Sequence, residues 1–324
     1  MQTKQTKISF RLSVPVLAVL SMLSVAFYSC KNEDNPTTVT PAQTITDVVV
    51  ANTNFTLLEA AVIRAGLANT LASAGPFTVF APTDAAFQAA GFANAAAINA
   101  APVATLSNIL LYHVVSGSAV AAAAIPAGQT ALPTAGTGNA PFFVTKAGTA
   151  VSVNGSRVTT ADVKASNGVI HIIDKVLLPP AGTVLAIAQA DTTLTYLTAA
   201  AIRGGTAVTS ALAGTTSVTV FAPTNAAFRA AGFPTIAAVN AAPVATLTAV
   251  LTNHVVAPAR AYSPTLVNGP VTTFGGGPVT VTLGSNNAVT LLSRGNGTNA
   301  ANVTTADINA TNGVVHKIDR VLLP

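Results

Sequence analysis

Phe80-Ala81-Pro82-Thr83-Asp84-Ala85-Ala86-Phe87 returns 141 residues later as Phe221-Ala222-Pro223-Thr224-Asn225-Ala226-Ala227-Phe228. The same offset carries Ala101-Pro102-Val103-Ala104-Thr105-Leu106 onto Ala242–Leu247. Further along, Thr159-Thr160-Ala161-Asp162 returns as Thr304–Asp307, and Asn167-Gly168-Val169-Ile170-His171 as Asn312-Gly313-Val314-Val315-His316, both at an offset of 145. The stretch between the two sets of blocks has therefore gained residues. A solenoid repeat is about 20–50 residues long. This period is the size of a whole domain. The 324 residues divide into a leader at 1–29, a tether at 30–43, and two copies at 44–180 and 181–324.

Within one copy, Thr44 to Ala72 carry Leu57, Leu58, Ala61, Val62 and Ala65 at helical spacing. Phe77-Thr78-Val79-Phe80-Ala81 alternates and is rich in β-branched and aromatic residues, which predicts a strand. Pro82-Thr83-Asp84 ends it, and Thr83 or Asp84 can cap the helix that follows. Phe87 faces the core. Pro102 suits the first turn of another helix, which carries Val103, Leu106, Ile109, Leu110 and His113. Beyond Val115 the pattern changes to short strands at Phe142–Thr145, Val151–Asn154, Val158–Thr160 and Val169–Ile173. Asn167-Gly168 between two of them predicts a tight hairpin turn, since both residues tolerate positive φ. Gly275-Gly276-Gly277 predicts a turn in the second copy. Helices gathered early and strands gathered late predict an α+β domain with a mainly antiparallel sheet.

These blocks resemble the fasciclin (FAS1) domain. Phe77–Phe87 is similar to its first block, Leu110-Leu111-Tyr112-His113-Val114-Val115 to its central Tyr-His block, and Asn167–Pro179 to its closing block. All three occur in order, twice, and the similarity spans residues 44–324. The resemblance implies a wedge-like β-sandwich of about seven strands with helices packed along the sheet edge. It also implies a secreted or surface protein associated with adhesion and matrix contact.

Composition sets limits on function. Hydrophobic residues make up 50% of the chain and charged residues only 8%, against about 25% charged in typical domains. The formal charge is +5, but Lys4, Lys7 and Arg11 precede any acidic residue. Without those three, twelve basic residues face ten acidic ones. No dense basic patch remains and Trp is absent, which leaves a nucleic-acid role without support.

Lys4, Lys7 and Arg11 followed by the apolar stretch Leu12–Ala26 match a secretion signal. An uncleaved anchor is the other reading, although a membrane span needs about 20 residues. Cys30 is the only cysteine, so it has no partner for an intramolecular disulfide. Its place after Phe27-Tyr28-Ser29 resembles a bacterial lipobox, which implies lipidation at Cys30 and anchoring in a membrane. Lys31-Asn32-Glu33-Asp34-Asn35-Pro36 resembles the acidic tag of Bacteroidetes lipoproteins exported to the outer surface, and also fits a solvated tether.

All four histidines fall at repeat-equivalent places, His113 with His254 and His171 with His316. Histidine can be a base or a metal ligand. Here no HxH or HExxH pattern completes a site, and His171 and Asp174, three apart on a strand, point to opposite faces. The expected role is a hydrogen bond tying the helical region to the sheet. The Tyr-His block has been tied to receptor contact in animal relatives, so the resemblance makes Tyr112, His113 and His254 candidate binding residues. The second copy has Asn253 in place of the tyrosine. Asp162 with Asp307, and Asp174 with Asp319, could form a glycosidase pair. Turn capping and pairing with Lys175 or Arg320 is the reading that suits two copies with few acids. No phosphate loop or nucleophile elbow is present, and no catalytic residue, metal or cofactor is expected. The functional expectation is a non-enzymatic, lipid-anchored outer-membrane or cell-surface protein. It would act in adhesion or matrix binding, with a surface glycan or protein as ligand. The alternative is an extracytoplasmic ligand- or polysaccharide-binding accessory protein.

Overall fold

The computed structural model describes residues 43–324 except 137, 139, 286 and 287. The leader, Cys30 and the tether through residue 42 lie outside the described residues. The first module runs through helices α1 (Ile45–Ala51), α2 (Thr56–Arg64) and α3 (Ala68–Ala72), then strand β1 (Phe77–Pro82). Helices α4 (Asp84–Ala89), α5 (Ala95–Ala100) and α6 (Val103–Tyr112) follow. The remaining strands are β2 (Val114–Ser116), β3 (Gly128–Leu132), β4 (Phe142–Ala147), β5 (Ala150–Val153), β6 (Ser156–Ala165) and β7 (Gly168–Ile173). The second module repeats this order. Its helical part holds α7 (Val184–Ala190), α8 (Thr195–Arg203), α9 (Thr206–Ala213), β8 (Val218–Pro223), α10 (Asn225–Ala230), α11 (Ile236–Ala241) and α12 (Val244–Thr252). Its strands continue as β9 (Val255–Val256), β10 (Gly269–Thr272), β11 (Pro278–Leu283), β12 (Val289–Ser293), β13 (Ala301–Ala310) and β14 (Gly313–Ile318).

Each module is α+β, with a seven-stranded sheet in the order β2-β1-β7-β6-β5-β4-β3 and its counterpart β9-β8-β14-β13-β12-β11-β10. Neighbours are antiparallel except β1 with β7 and β8 with β14, which run parallel. The ten-residue β6 pairs with β5 near Ser156 and with β7 from Val158 onward, and its register shifts twice on the way. Such shifts bend a strand, so β6 joins two halves of one sheet. The bend gives each module two cores. Val79 and Ala81 pack with Leu58, Phe87 and Leu110 under the helices. Phe80, pointing the other way, packs with Phe142, Val144 and Val153 between the sheet halves. A strand covered on both faces loses strict alternation, hence the unbroken burial from Thr78 to Pro82. Phe221 and Val220 divide between the two cores of the second module in the same way.

One local expectation is corrected, and one left open is resolved. The expected hairpin forms, but its turn is Ser166-Asn167, with Gly168 already in β7, and it uses no positive φ. Asn167 is a side-chain tie: its Oδ1 accepts from Ile45 N at 2.9 Å, and its Nδ2 donates to Leu71 O and Ser73 O at 2.7 and 2.8 Å. Gly168 is needed for close approach, because a Cβ there would sit 2.2 Å from Phe77 O. Asp84 does not cap α4; Thr83 does. The Asp84 carboxylate reaches back to accept from Leu57 N and Thr56 Oγ1 at the start of α2. Asn225 keeps this job by accepting from Tyr196 N at 3.0 Å.

Candidate functional site

His113 stands at the C-cap of α6. Its Nδ1 lies 2.7 Å from Ile109 O, and its Nε2 accepts from Leu177 N at 2.9 Å. A carbonyl can only accept, so the proton sits on Nδ1. His254 repeats the arrangement with Val250 O and Leu322 N. Burial pushes both imidazoles down to about 4, so they are neutral at pH 7. His171 and His316 each set Nε2 against a carbonyl, of Val120 and Ala261, at 2.9 Å. Each also accepts from an aspartate backbone N–H, of Asp162 and Asp307, at 3.3 Å. All four rings are buried and serve as ties between segments.

The carboxylates work differently from the expected surface pairs. Asp174 accepts from Ser156 Oγ and Arg157 N, and Asp319 from Asn302 N and Nδ2. Lys175 does not pair with its neighbour. It crosses to the second module and meets Asp307 at 2.8 Å. Asp162 and Asp307 take left-handed backbone, with φ of 60° and 65°. Asp162 accepts from Ala122 N, and Asp307 from Ser263 N.

Tyr112 lies in the contact between modules. It is 1% exposed, and its hydroxyl donates to Pro141 O at 3.0 Å. The same oxygen accepts from Asn154 Nδ2 at 2.9 Å and from Asn309 Nδ2 of the second module at 3.0 Å. A hydroxyl has one proton and two lone pairs, so it is saturated. Asn309 Oδ1 in turn accepts from Tyr262 Oη at 2.8 Å and Arg260 Nη1 at 3.3 Å. The Arg260 guanidinium lies 4.1 Å from the centre of the Phe143 ring, and the Arg260 carbonyl accepts from Gln129 Nε2 at 2.9 Å. Cation–π attraction strengthens when the cation is desolvated, and Arg260 is buried. Burial also raises the phenol pKa of Tyr112 and Tyr262. Asn253, at the place of Tyr112, donates instead to Ser293 Oγ and Leu322 O inside its own module.

Beside this contact opens a cleft of about 830 Å³, lined by both modules and by the connecting segment. Ala86, Leu178, Pro179 and Ile187 give it an apolar wall; Lys175, Asp307 and Asn309 give it a polar one. Binding sites are commonly clefts of about 300–1,000 Å³ at domain interfaces with a few polar groups in an apolar lining. Tyr112 and His113 do not line it; Asn154, Lys175, Asp307 and Asn309 do. Among the described residues, no three His, Cys, Asp or Glu side chains gather as a metal would require. No described helix is long and apolar enough to cross a membrane. Sequence reasoning missed Arg260, Tyr262, Asn154 and Asn309. The usable signal was copy-specific identity: Arg260 and Tyr262 align with Ala119 and Ala121 at the offset of 141.

The chain is 44% identical over 148 residues to Protein sll1483 of Synechocystis sp., covering 43% of this chain and 75% of that protein. It is 39% identical over 148 residues to the transforming growth factor-beta-induced protein ig-h3 of Sus scrofa, covering 44% of this chain but only 20% of the relative. To the immunogenic protein MPB70 of Mycobacterium bovis it is 33% identical over 165 residues, covering 48% of this chain and 80% of that protein. A solved FAS1 domain pair from the insect cell adhesion molecule Fasciclin I aligns at 20% identity and a TM-score of 0.41, over 83% of this chain and 96% of that one. The Fasciclin domain model matches residues 53–179 and 191–324, one match in each module, and the chain belongs to the fasciclin domain family.

Proposed function

We propose that this is a non-enzymatic surface protein acting in adhesion or matrix binding, held at the outer membrane by lipid on Cys30. The observation that carries the reading is the use made of the repeated ionisable side chains. The four histidines are buried in hydrogen bonds that tie segments together, and the aspartates of both modules hold backbone N–H groups. Chemistry that needs a free base has nothing to draw on there, whereas recognition needs only surface. Two fasciclin domains, an apolar stretch ahead of Cys30 and a polar tether support display outside the cell. Attachment of a deletion strain to glass, to host-type matrix and to kin cells tests this. Reduced attachment, restored by the wild-type gene and not by a Cys30→Ser copy, is the expected result. Normal attachment to every surface would overturn it.

The cleft between modules favours a second reading, an accessory protein that captures a glycan or other ligand. A glycan array separates the two. A specific glycan bound in the cleft, with attachment unchanged in the deletion strain, selects the accessory role.

A further inference from the structure

The repeat supplies its own template for an unfilled site. In the second module the buried Arg260 guanidinium sits against a cradle of backbone carbonyls. Nη1 donates to Ala310 O and Gly313 O at 2.8 and 2.7 Å, and Nη2 to Thr311 O at 3.0 Å. These carbonyls belong to the turn between β13 and β14, where Ala310 pairs with Gly313.

The first module builds the same turn. Ala165 pairs with Gly168 in the equivalent register, and Asn167 makes the ties that Asn312 makes in the second module. The residue equivalent to Arg260 is Ala119, fixed by matching hydrogen bonds on either side. Thr78 Oγ1 donates to Ser118 O as Thr219 Oγ1 does to Ala259 O, and His171 meets Val120 O as His316 meets Ala261 O. Alanine brings no donor. Where the guanidinium would lie there is an open cavity of about 480 Å³, lined by Gly75, Pro76, Ala119, Ala165, Ser166 and Gly168 among others.

We propose that this cavity is a docking socket for an arginine side chain presented by a partner polypeptide. Three carbonyls in fixed positions are acceptors only. A guanidinium has five N–H donors in a planar fork, no acceptor and a permanent charge, and it is less strongly hydrated than an ammonium. The cradle therefore selects arginine over lysine, and over any neutral side chain. The site lies apart from the intermodule cleft, with which it shares no lining residue. One neighbour differs between the copies. Exposed Lys164 holds the place of Asn309, which in the second module accepts from Arg260. Like charge at that rim weakens docking, and salt screens the penalty.

The test is an amide-shift titration of the full-length chain with the blocked tripeptide Gly-Arg-Gly. Saturable shifts at Ser166, Asn167 and Gly168 are expected. They are expected to be absent with the citrulline peptide, which has the same shape without the charge, and weaker with the lysine peptide. Ala119→Arg supplies an internal guanidinium and should abolish the shifts while raising Tm. Lys164→Asn, which restores the residue of the second module, should tighten binding several-fold. Absence of saturable shifts in both the wild type and Lys164→Asn overturns the proposal. So do equal shifts with arginine and citrulline peptides, or shifts that persist in a folded Ala119→Arg variant.

Discussion

The Tyr112 hydroxyl of the first module and the Asn309 amide of the second stand 3.0 Å apart, and no lone pair of that hydroxyl is left over. Removing the oxygen strands two amide N–H groups and a carbonyl in a buried place. An unsatisfied buried group costs about 1–3 kcal/mol. Tyr112→Phe should therefore lower unfolding free energy by about that amount in urea titrations. A loss within error would show that the contact between modules does not depend on this hydroxyl.

Gly155 carries the same contact by having no side chain. Its φ is +81°, and a Cβ would fall 2.3 Å from Asp307 Cγ across the interface. Gly148 also has positive φ, +60°, but faces open space. Both alanine variants incur backbone strain of about 1–3 kcal/mol. Only Gly155→Ala also pushes Asp307 away from Lys175 and Ser263. Thermal melts should show the larger drop in Tm for Gly155→Ala.

The buried histidines make stability depend on pH. His113 and His254 have folded pKa values near 4, below the unfolded value of 6.5. Between those values the unfolded chain binds more protons, so stability rises with pH in that window. The contribution is complete above about pH 6.5 and is lost as pH falls toward 4, up to about 3 kcal/mol for each ring. Urea titrations at pH 7 and pH 4.5 should differ accordingly, and His254→Gln should flatten the profile while lowering stability at pH 7.

Asp84 and Asn225 hold the first turns of α2 and α8, in place of capping their own helices. Asp84→Ala should cost about 1–2 kcal/mol, typical of a lost N-terminal acceptor. Asp84→Asn, which copies the second module, should cost much less. Equal losses would mean that the charge, and not the acceptor, matters at this place.

The interior of each module was legible in sequence because burial imposes a pattern. Phe77–Ala81 and Val169–Ile173 were readable as strands from their apolar runs, and their observed bounds are Phe77–Pro82 and Gly168–Ile173. The parallel pairing of β1 with β7 was not legible, because alternation says which face a residue takes and not which neighbour it meets. Val158–Thr160 was too short for β6, whose middle bulges and breaks the alternation over Thr159–Asp162. The contact between modules left no periodic mark. Apart from Asp307, which repeats Asp162, it is built from residues that occur once each: Tyr112 and Phe143 on one side, Arg260, Tyr262 and Asn309 on the other. The change from Tyr112 to Asn253, visible in the repeat, follows from this. The first module faces a partner at that place; the second closes the position internally through Asn253.

That asymmetry predicts that the two modules hold one fixed arrangement, and a distance distribution tests it most directly. Ile63 and Val267 are 64% and 70% exposed, one in each module, and suit spin labels at introduced cysteines in a Cys30→Ser background. Pulsed dipolar spectroscopy should give one narrow distance in the otherwise wild-type chain, broadened when Tyr112→Phe and Arg260→Ala are combined. A broad distribution without those two substitutions would contradict the account, since the modules would then move as independent beads.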